Sequence, residues 1–200
     1  MKGEILVSDE LYGKYEYGAP AGIIKFLFSR LQNGLLLNVG AGETYLDDPG
    51  KRVVGLDIVI PKRVQDDYVL GDATSLPFKD SIFDACLVKD VVEHVLDPIV
   101  ALREIHRVTT TRAKAIIITP RAIPRAVWAD PTHIRGFTQN SIKMLMELSG
   151  WKIVSGPNKF GGIPGATRLK FERHIENILK LPGLGHYFGT NWIVEVEKLE

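Results

Sequence analysis

Apolar residues fall along this chain in short unbroken runs, and each run is closed by small, acidic or turn-forming residues. Leu35-Leu36-Leu37-Asn38-Val39 stops at Gly40-Ala41-Gly42-Glu43, and Val53-Val54-Gly55-Leu56 stops at Asp57. Tyr68-Val69-Leu70 stops at Gly71-Asp72, Ile82-Phe83-Asp84-Ala85-Cys86-Leu87-Val88 at Lys89-Asp90, and Ala113–Thr119 at Pro120. A strand covered on both faces reads as a continuous apolar stretch, whereas a strand with one wet face alternates. The runs therefore predict parallel strands inside an α/β fold.

The later segments switch period. Asp97-Pro98 opens a helix that runs through Arg107, with Pro98 suited to the first turn. Phe137–Leu148 reads as a second helix with Gly150 just past its end. Trp151–Ser155 then gives a sixth strand, and Asn191–Lys198 a last one. Before the first strand, Tyr12, Tyr15 and Tyr17 precede Gly18-Ala19-Pro20 and an amphipathic helix around Ala21–Leu31. Gly156–Thr190 is rich in glycine and proline and includes a helical stretch, Leu169–Leu181. The connections Glu43–Arg52 and Pro61–Asp67 are shorter than the dozen or so residues of an ordinary crossover. The first two crossovers are thus expected to be trimmed.

Chemistry collects where the runs stop. Glycines at 40 and 42 let backbone amides approach a ligand, and Asp57 at the next strand tip suits the two hydroxyls of a ribose. This describes a pocket for an adenosine-type cofactor. NAD fits poorly. Its fingerprint needs a third glycine so that the first helix can aim its N-terminus at pyrophosphate, and Thr44 stands there. Asp47 and Asp48 would also repel a pyrophosphate, and a Tyr-x-x-x-Lys pair is absent. S-adenosylmethionine carries a sulfonium and an amino group without phosphate, so acidic surroundings suit it.

Val92-Glu93-His94-Val95-Leu96-Asp97-Pro98, the helix Leu102-Arg103-Glu104-Ile105-His106-Arg107-Val108, and His133-Ile134-Arg135-Gly136-Phe137-Thr138 complete an ordered set of matches. With them the chain resembles the class I S-adenosylmethionine-dependent methyltransferases, in the compact type 11-like branch, over about 35–155. The resemblance implies a Rossmann-like, doubly wound, mostly parallel seven-stranded sheet with an antiparallel last strand. It implies one methyltransferase domain over 1–200: an N-terminal arm and helix (1–34), a cofactor-binding half (35–120) and a substrate-side half (121–200). Two departures stand out. The family usually places Asp or Glu at Asn38, so contact with the methionine end is expected to be weaker or water-mediated. Thr44 replaces the third glycine, consistent with a trimmed first helix. Compact methyltransferases found with cell-surface glycan and lipid genes are similar.

The resemblance assigns cofactor contacts to Gly40, Ala41, Gly42, Asp57, Ile58, Asp72, Ala73 and Lys89. Asp72 would accept from the adenine amino group, although Asp also caps local turns. Lys89 would meet the methionine part through its backbone, with its side chain free to point to solvent. His94 lies near the methyl-transfer mouth; a neutral imidazole can take a proton near pH 7, or the residue can simply order neighbouring loops. Trp128, Asp130, His133 and Arg135 lie on the loop after the fifth strand, where open α/β sheets contact substrates. Arg121 and Arg125 precede them and would suit an anionic group or an ordinary surface. Asp84 reads as structural, and His106 and His174 as surface or boundary residues.

Composition narrows the partners. The 200 residues are 45% apolar, enough for one domain with a full core. A formal charge of +1 offers no global attraction to nucleic acid or anionic membrane. No apolar stretch approaches the roughly eighteen residues of a spanning helix, and the first residues lack a leader's apolar region. The single cysteine, Cys86, excludes an internal disulfide, and the scattered histidines show no metal-ligand spacing, so no metal is expected. The expected setting is cytoplasmic.

Lys89-Asp90-Val91-Val92 stands where amino-group methylating enzymes carry Asn-Pro-Pro-Tyr or Asp-Pro-Pro-Tyr. The leading expectation is therefore methyl transfer to a small-molecule, lipid or glycan acceptor, on oxygen. Two alternatives remain. An RNA methyltransferase would use Lys62, Arg63, Arg112, Lys114, Arg121 and Arg125 on phosphates, against which the near-neutral charge argues. A catalytically inactive binding or regulatory subunit would act through a partner. Acceptor and oligomeric state have no readable code.

Overall fold

A computed structural model describes residues 28–42, 46, 49–60, 67–128, 130–160 and 189–199. The tyrosine-bearing arm, most of the Ala21–Leu31 helix, Thr44, Asp47, Asp48, Lys62, Arg63, the Leu169–Leu181 helix, His174 and His186 lie outside them.

The apolar runs become β1 (Gly34–Val39), β2 (Lys51–Asp57), β3 (Tyr68–Leu70), β4 (Phe83–Lys89) and β5 (Thr109–Pro120). With β6 (Lys152–Phe160) and β7 (Asn191–Glu197) they form a seven-stranded sheet in the order β3-β2-β1-β4-β5-β7-β6. Strands β1 to β5 pair in parallel, and β7 runs antiparallel between β5 and β6. From β1 the chain first builds outward through β2 and β3, then returns to place β4 on the other side. That reversal leaves a crevice at the carboxyl ends of β1 and β4, where α/β sheets bind ligands. The early connections span only positions 40–50 and 58–67, as expected for trimmed crossovers.

Continuous apolar runs are needed because alternate side chains leave the sheet on opposite faces and both are covered. Leu37, Val39, Cys86, Val88 and Ile117 pack with Leu102, Ile105, Ile142, Met146 and Trp151. Leu36, Ala85, Leu87, Ile116 and Ile118 face the other way, against Phe28, Leu31, Leu46 and Ile193. Burial pushes the Cys86 thiol far above its ordinary value, so it behaves as a small apolar residue. Asp84 is structural, as its setting suggested: its Oδ2 accepts from the Leu35 amide at 2.9 Å and ties β4 to the start of β1.

Helix α1 (Pro98–Val108) follows β4. Asp97 caps it, accepting from the amides of Ile99 at 3.0 Å and Val100 at 3.1 Å. It buries Ala101, Leu102, Ile105 and Val108, one helical stripe. Arg107 near its end donates to Glu104, to Asp80 and to the carbonyls of Leu76 and Phe78, while Glu104 accepts from the Leu76 amide. These bonds clamp the loop after β3 onto α1. His106 packs edge-on to Trp151 at 5.0 Å between ring centroids, the boundary role expected of it.

Several bounds differ from the sequence expectation: β5 starts at Thr109 rather than Ala113, and β6 runs on to Phe160 rather than ending at Ser155. Helix α3 (Gln139–Leu148) begins after Phe137 because Thr138 and Ser141 form a reciprocal capping box; α2 (Pro124–Val127) is a short additional helix in the loop after β5. Phe137 is buried and accepts the Trp192 indole N–H on its carbonyl at 2.7 Å. It thereby fixes the far end of the loop to the sheet. Among the described residues, no helix is long and apolar enough to cross a membrane.

Candidate functional site

The glycine loop is built by close approach. Gly40 adopts φ +72°, and a Cβ there would lie 2.7 Å from the Lys89 carbonyl oxygen and against the Val91 side chain. Only glycine combines that conformation with that proximity. The amides of Gly40 and Ala41 donate to the Leu56 carbonyl at 2.9 and 3.1 Å. Gly42 donates to Asp57 Oδ2 at 3.0 Å, and Val59 donates to Asp57 Oδ1 at 3.2 Å. The expected glycine–carboxylate pair thus meets at one place, with Asp57 organising the loop beside which a ribose would sit.

Ile58, Val59 and Ile60 follow Asp57 and are well exposed, as is Leu70 at the end of β3. They form an apolar shelf suited to one face of a purine. Asp72 sits beside it, but its Oδ1 accepts from the Thr74 amide at 2.8 Å and hydroxyl at 2.7 Å. The local turn considered for Asp72 is therefore present, and any adenine contact falls to its other oxygen or to the backbone of buried Ala73. The Lys89 side chain is not free in solvent: its ammonium pairs with Asp90 at 2.5 Å. Asn38 is buried and its Nδ2 has no partner among the described residues, leaving a donor near the loop.

A second group assembles across the crevice. His94 follows β4, whereas Asp130, Thr132 and His133 arrive on the loop after β5. Thr132 donates its hydroxyl proton to Asp130 Oδ1 at 2.6 Å, so at 3.1 Å from His94 Nδ1 its oxygen acts as acceptor. His94 Nδ1 therefore carries the proton, leaving Nε2 with a lone pair. Desolvation and the neighbouring His133 lower the His94 pKa, so the ring is neutral at pH 7. The two imidazoles meet edge-on at 4.6 Å. His133 Nδ1 donates to the Val127 carbonyl at 2.8 Å, which turns its Nε2 toward the rest of the group.

Glu93 lies beneath them and is wholly buried; its Oε2 accepts from the Thr119 hydroxyl at 3.0 Å, while Oε1 has no hydrogen-bond partner among the described residues. His133 Nε2 stands 3.9 Å from that oxygen. Burial, reinforced by the charge of Asp90, pushes the carboxyl up to about 8. The sequence reading passed over Glu93, although an acid two residues into the apolar stretch Val91-Val92 was a visible signal. It also found no metal-ligand spacing, yet the fold brings Glu93, His94 and His133 together.

The remaining predicted residues separate by role. Trp128 is exposed, and with exposed Leu96 and Ile134 it gives the mouth an apolar rim. Arg135 donates to the Leu96 carbonyl at 2.9 Å, tying the loop to the approach of α1. Arg121 stacks 5.0 Å over Trp192 and donates to the Gly189 carbonyl, so it is engaged in packing rather than held out toward a ligand. Arg125 falls within α2.

The comparisons agree with this geometry. Residues 37–117 match the family described as a methyltransferase domain. A demethylmenaquinone methyltransferase of Paenarthrobacter aurescens is 32% identical over 180 residues, covering 72% of this chain and 71% of the relative. One from Streptomyces griseus is 32% identical over 129 residues, half of this chain and 56% of the relative, so the chain spans little more than half the length of several relatives it matches. A structure of a SAM-dependent methyltransferase from Archaeoglobus fulgidus superposes with a TM-score of 0.65 at 19% identity, covering 96% of this chain and all of that one, a likeness of fold. The glycine loop, the carboxylate at the second strand tip and a relative matched over most of its length place this chain in the class I S-adenosylmethionine-dependent methyltransferase family, type 11 branch.

Proposed function

We propose that this chain transfers the methyl group of S-adenosylmethionine to an oxygen of a small-molecule acceptor of lipid or glycan type. The observation that carries the reading is the pairing of the Gly42 amide with Asp57 on one side of the crevice, opposite a neutral His94 on the other. The residues suit the cofactor: backbone amides and Asp57 at the ribose position, an exposed apolar shelf at 58–60, and acids that favour a cationic ligand over a pyrophosphate. When bound, the cofactor supplies an electrophilic methyl carbon whose sulfur leaves neutral.

The chain's own part is alignment and proton handling. Loop 121–137, anchored by Phe137 and Arg135, would hold the acceptor against the mouth and exclude water. His94 Nε2 would take the hydroxyl proton as the new carbon–oxygen bond forms, with Nδ1 steadied by Thr132 and Asp130. The relatives are named for demethylmenaquinone. The rim of Trp128, Leu96 and Ile134 suits an acceptor with an apolar portion. The single buried cysteine is compatible with a cytoplasmic setting.

Calorimetric titration with S-adenosylmethionine, S-adenosylhomocysteine and NAD tests the cofactor. Saturable binding of the two adenosyl-sulfur ligands alone is expected, and NAD binding would overturn the reading. Binding without turnover on any small acceptor would instead favour a regulatory subunit. Asp57→Ala is expected to weaken cofactor binding by about 1–3 kcal/mol, the scale of lost hydrogen bonds to a charged group. Unchanged affinity would remove Asp57 from the site. His94→Ala is expected to lower kcat on the order of 100-fold while cofactor affinity changes little; equal small changes in both would make His94 a purely structural residue.

A further inference from the structure

We propose that Glu93, His94 and His133 bind a divalent transition-metal cation through one carboxylate oxygen and two imidazole nitrogens. Their candidate ligand atoms lie within 4.8 Å of one another. The second observation is the wholly buried Glu93, whose Oε1 has no hydrogen-bond partner among the described residues and stands 3.9 Å from His133 Nε2. A buried carboxylate oxygen without a donor is costly, and native structures rarely leave one without an ion, a water or a proton.

The hydrogen bonds around the histidines prepare the same outcome. His133 donates Nδ1–H to the Val127 carbonyl, and His94 Nδ1–H faces Thr132, whose own proton is committed to Asp130. Each ring is thus tied through Nδ1, which leaves Nε2 as the candidate ligand atom. Metal-ligating histidines characteristically donate their other ring N–H to a carbonyl or a carboxylate-linked group, which fixes the tautomer and makes the ligand more basic. Among the described residues, two imidazoles and an unpartnered carboxyl oxygen thus meet at one place, and a cation bound there would take the place of the Glu93 proton. Asp90 adds negative charge, since its field acts on both Glu93 and His94.

Two imidazoles and one carboxylate favour zinc or manganese over calcium, which takes oxygen ligands. Ligands sharing one ion at about 2.0–2.2 Å stand roughly 3–3.5 Å apart, so binding would draw these atoms together by about 1 Å. Three protein ligands leave positions open toward the mouth. An acceptor hydroxyl bound there would ionise more readily, and its proton would pass to solvent rather than to His94, whose lone pair is then a ligand. That catalytic role rests on the methyl-transfer reading; the cation site itself does not.

The test is calorimetric titration of the chelator-treated full chain with zinc and, separately, manganese chloride, in the absence of any cofactor. Thermal melting with and without metal is the second readout. One saturable site and a metal-dependent rise in Tm are expected for the unaltered chain. Both should weaken at least 10-fold in Glu93→Gln, which keeps an acceptor for Thr119, and in His133→Ala. No saturable binding, or binding unchanged in both variants, would overturn the site. The cofactor is titrated in parallel with chelator present. Cofactor binding without metal binding would sink the cation site alone, and metal binding without cofactor binding would sink the methyl-transfer reading alone.

Discussion

Gly40→Ala is expected to abolish cofactor binding and to destabilise the fold by about 2–4 kcal/mol, from left-handed strain together with overpacking. The backbone at Gly40 has φ +72°, and the added methyl group would lie 2.7 Å from the Lys89 carbonyl oxygen. That oxygen belongs to β4 and cannot yield without moving the strand that carries the chain to Glu93 and His94. Gly42→Ala is the control. Its φ is also positive, at +47°, yet a Cβ there meets nothing within 4 Å. It should cost only the conformational strain, about 1–2 kcal/mol. Denaturant unfolding with calorimetric titration checks both, and equal losses in the two variants would show that close approach to Lys89 is unimportant.

Glu93→Gln should flatten the dependence of stability on pH in the metal-free chain. The carboxyl has an ordinary value of 4.5 and is pushed up to about 8 in the fold, chiefly by burial. Between those values the native state holds a proton that the unfolded state has released. Stability from this group is thus full below 4.5 and falls as pH rises toward 8, by up to about 1.4 kcal/mol per pH unit. The variant lacks that decline, so its advantage over the unaltered chain should grow from pH 5 to pH 8. The lowered His94 pKa acts with the opposite sign, penalising acid below 6.5, but it is common to both proteins and cancels in the difference. Chemical denaturation at several pH values with chelator present measures the effect. A constant difference across the range would mean that Glu93 is ionised throughout.

The two variants report on different levels of the molecule. Gly40 expresses a backbone requirement that its own chain segment announces: an apolar strand cannot run into Gly-x-Gly without a reason for the second strand or a ligand to come close. Glu93 expresses a requirement made by distant segments. Thr119 comes from the end of β5 and His133 from the loop beyond it, and neither has a local spacing that points to Glu93.

The same division runs through the rest of the chain. Unbroken apolar runs determined the parallel strands because burial on both faces leaves no polar position to interrupt them. Asp97 and Pro98 determined where α1 begins, since capping is satisfied within one turn. The proposed cofactor edge was readable for the same reason: Gly40, Gly42 and Asp57 sit at strand ends whose order follows from the runs themselves. Phe137 was misplaced in a helix because its apolarity fits the helical period, whereas the Thr138–Ser141 box and the contact with Trp192 exclude it. Sequence also left Asp72 open between two roles, and the bonds to Thr74 established its local turn. The histidine–glutamate cluster was decided by tertiary structure alone. Proximity across the sheet edge depends on how β4, β5 and the loop after β5 are stacked, and burial, not sequence spacing, determines which protons those side chains keep.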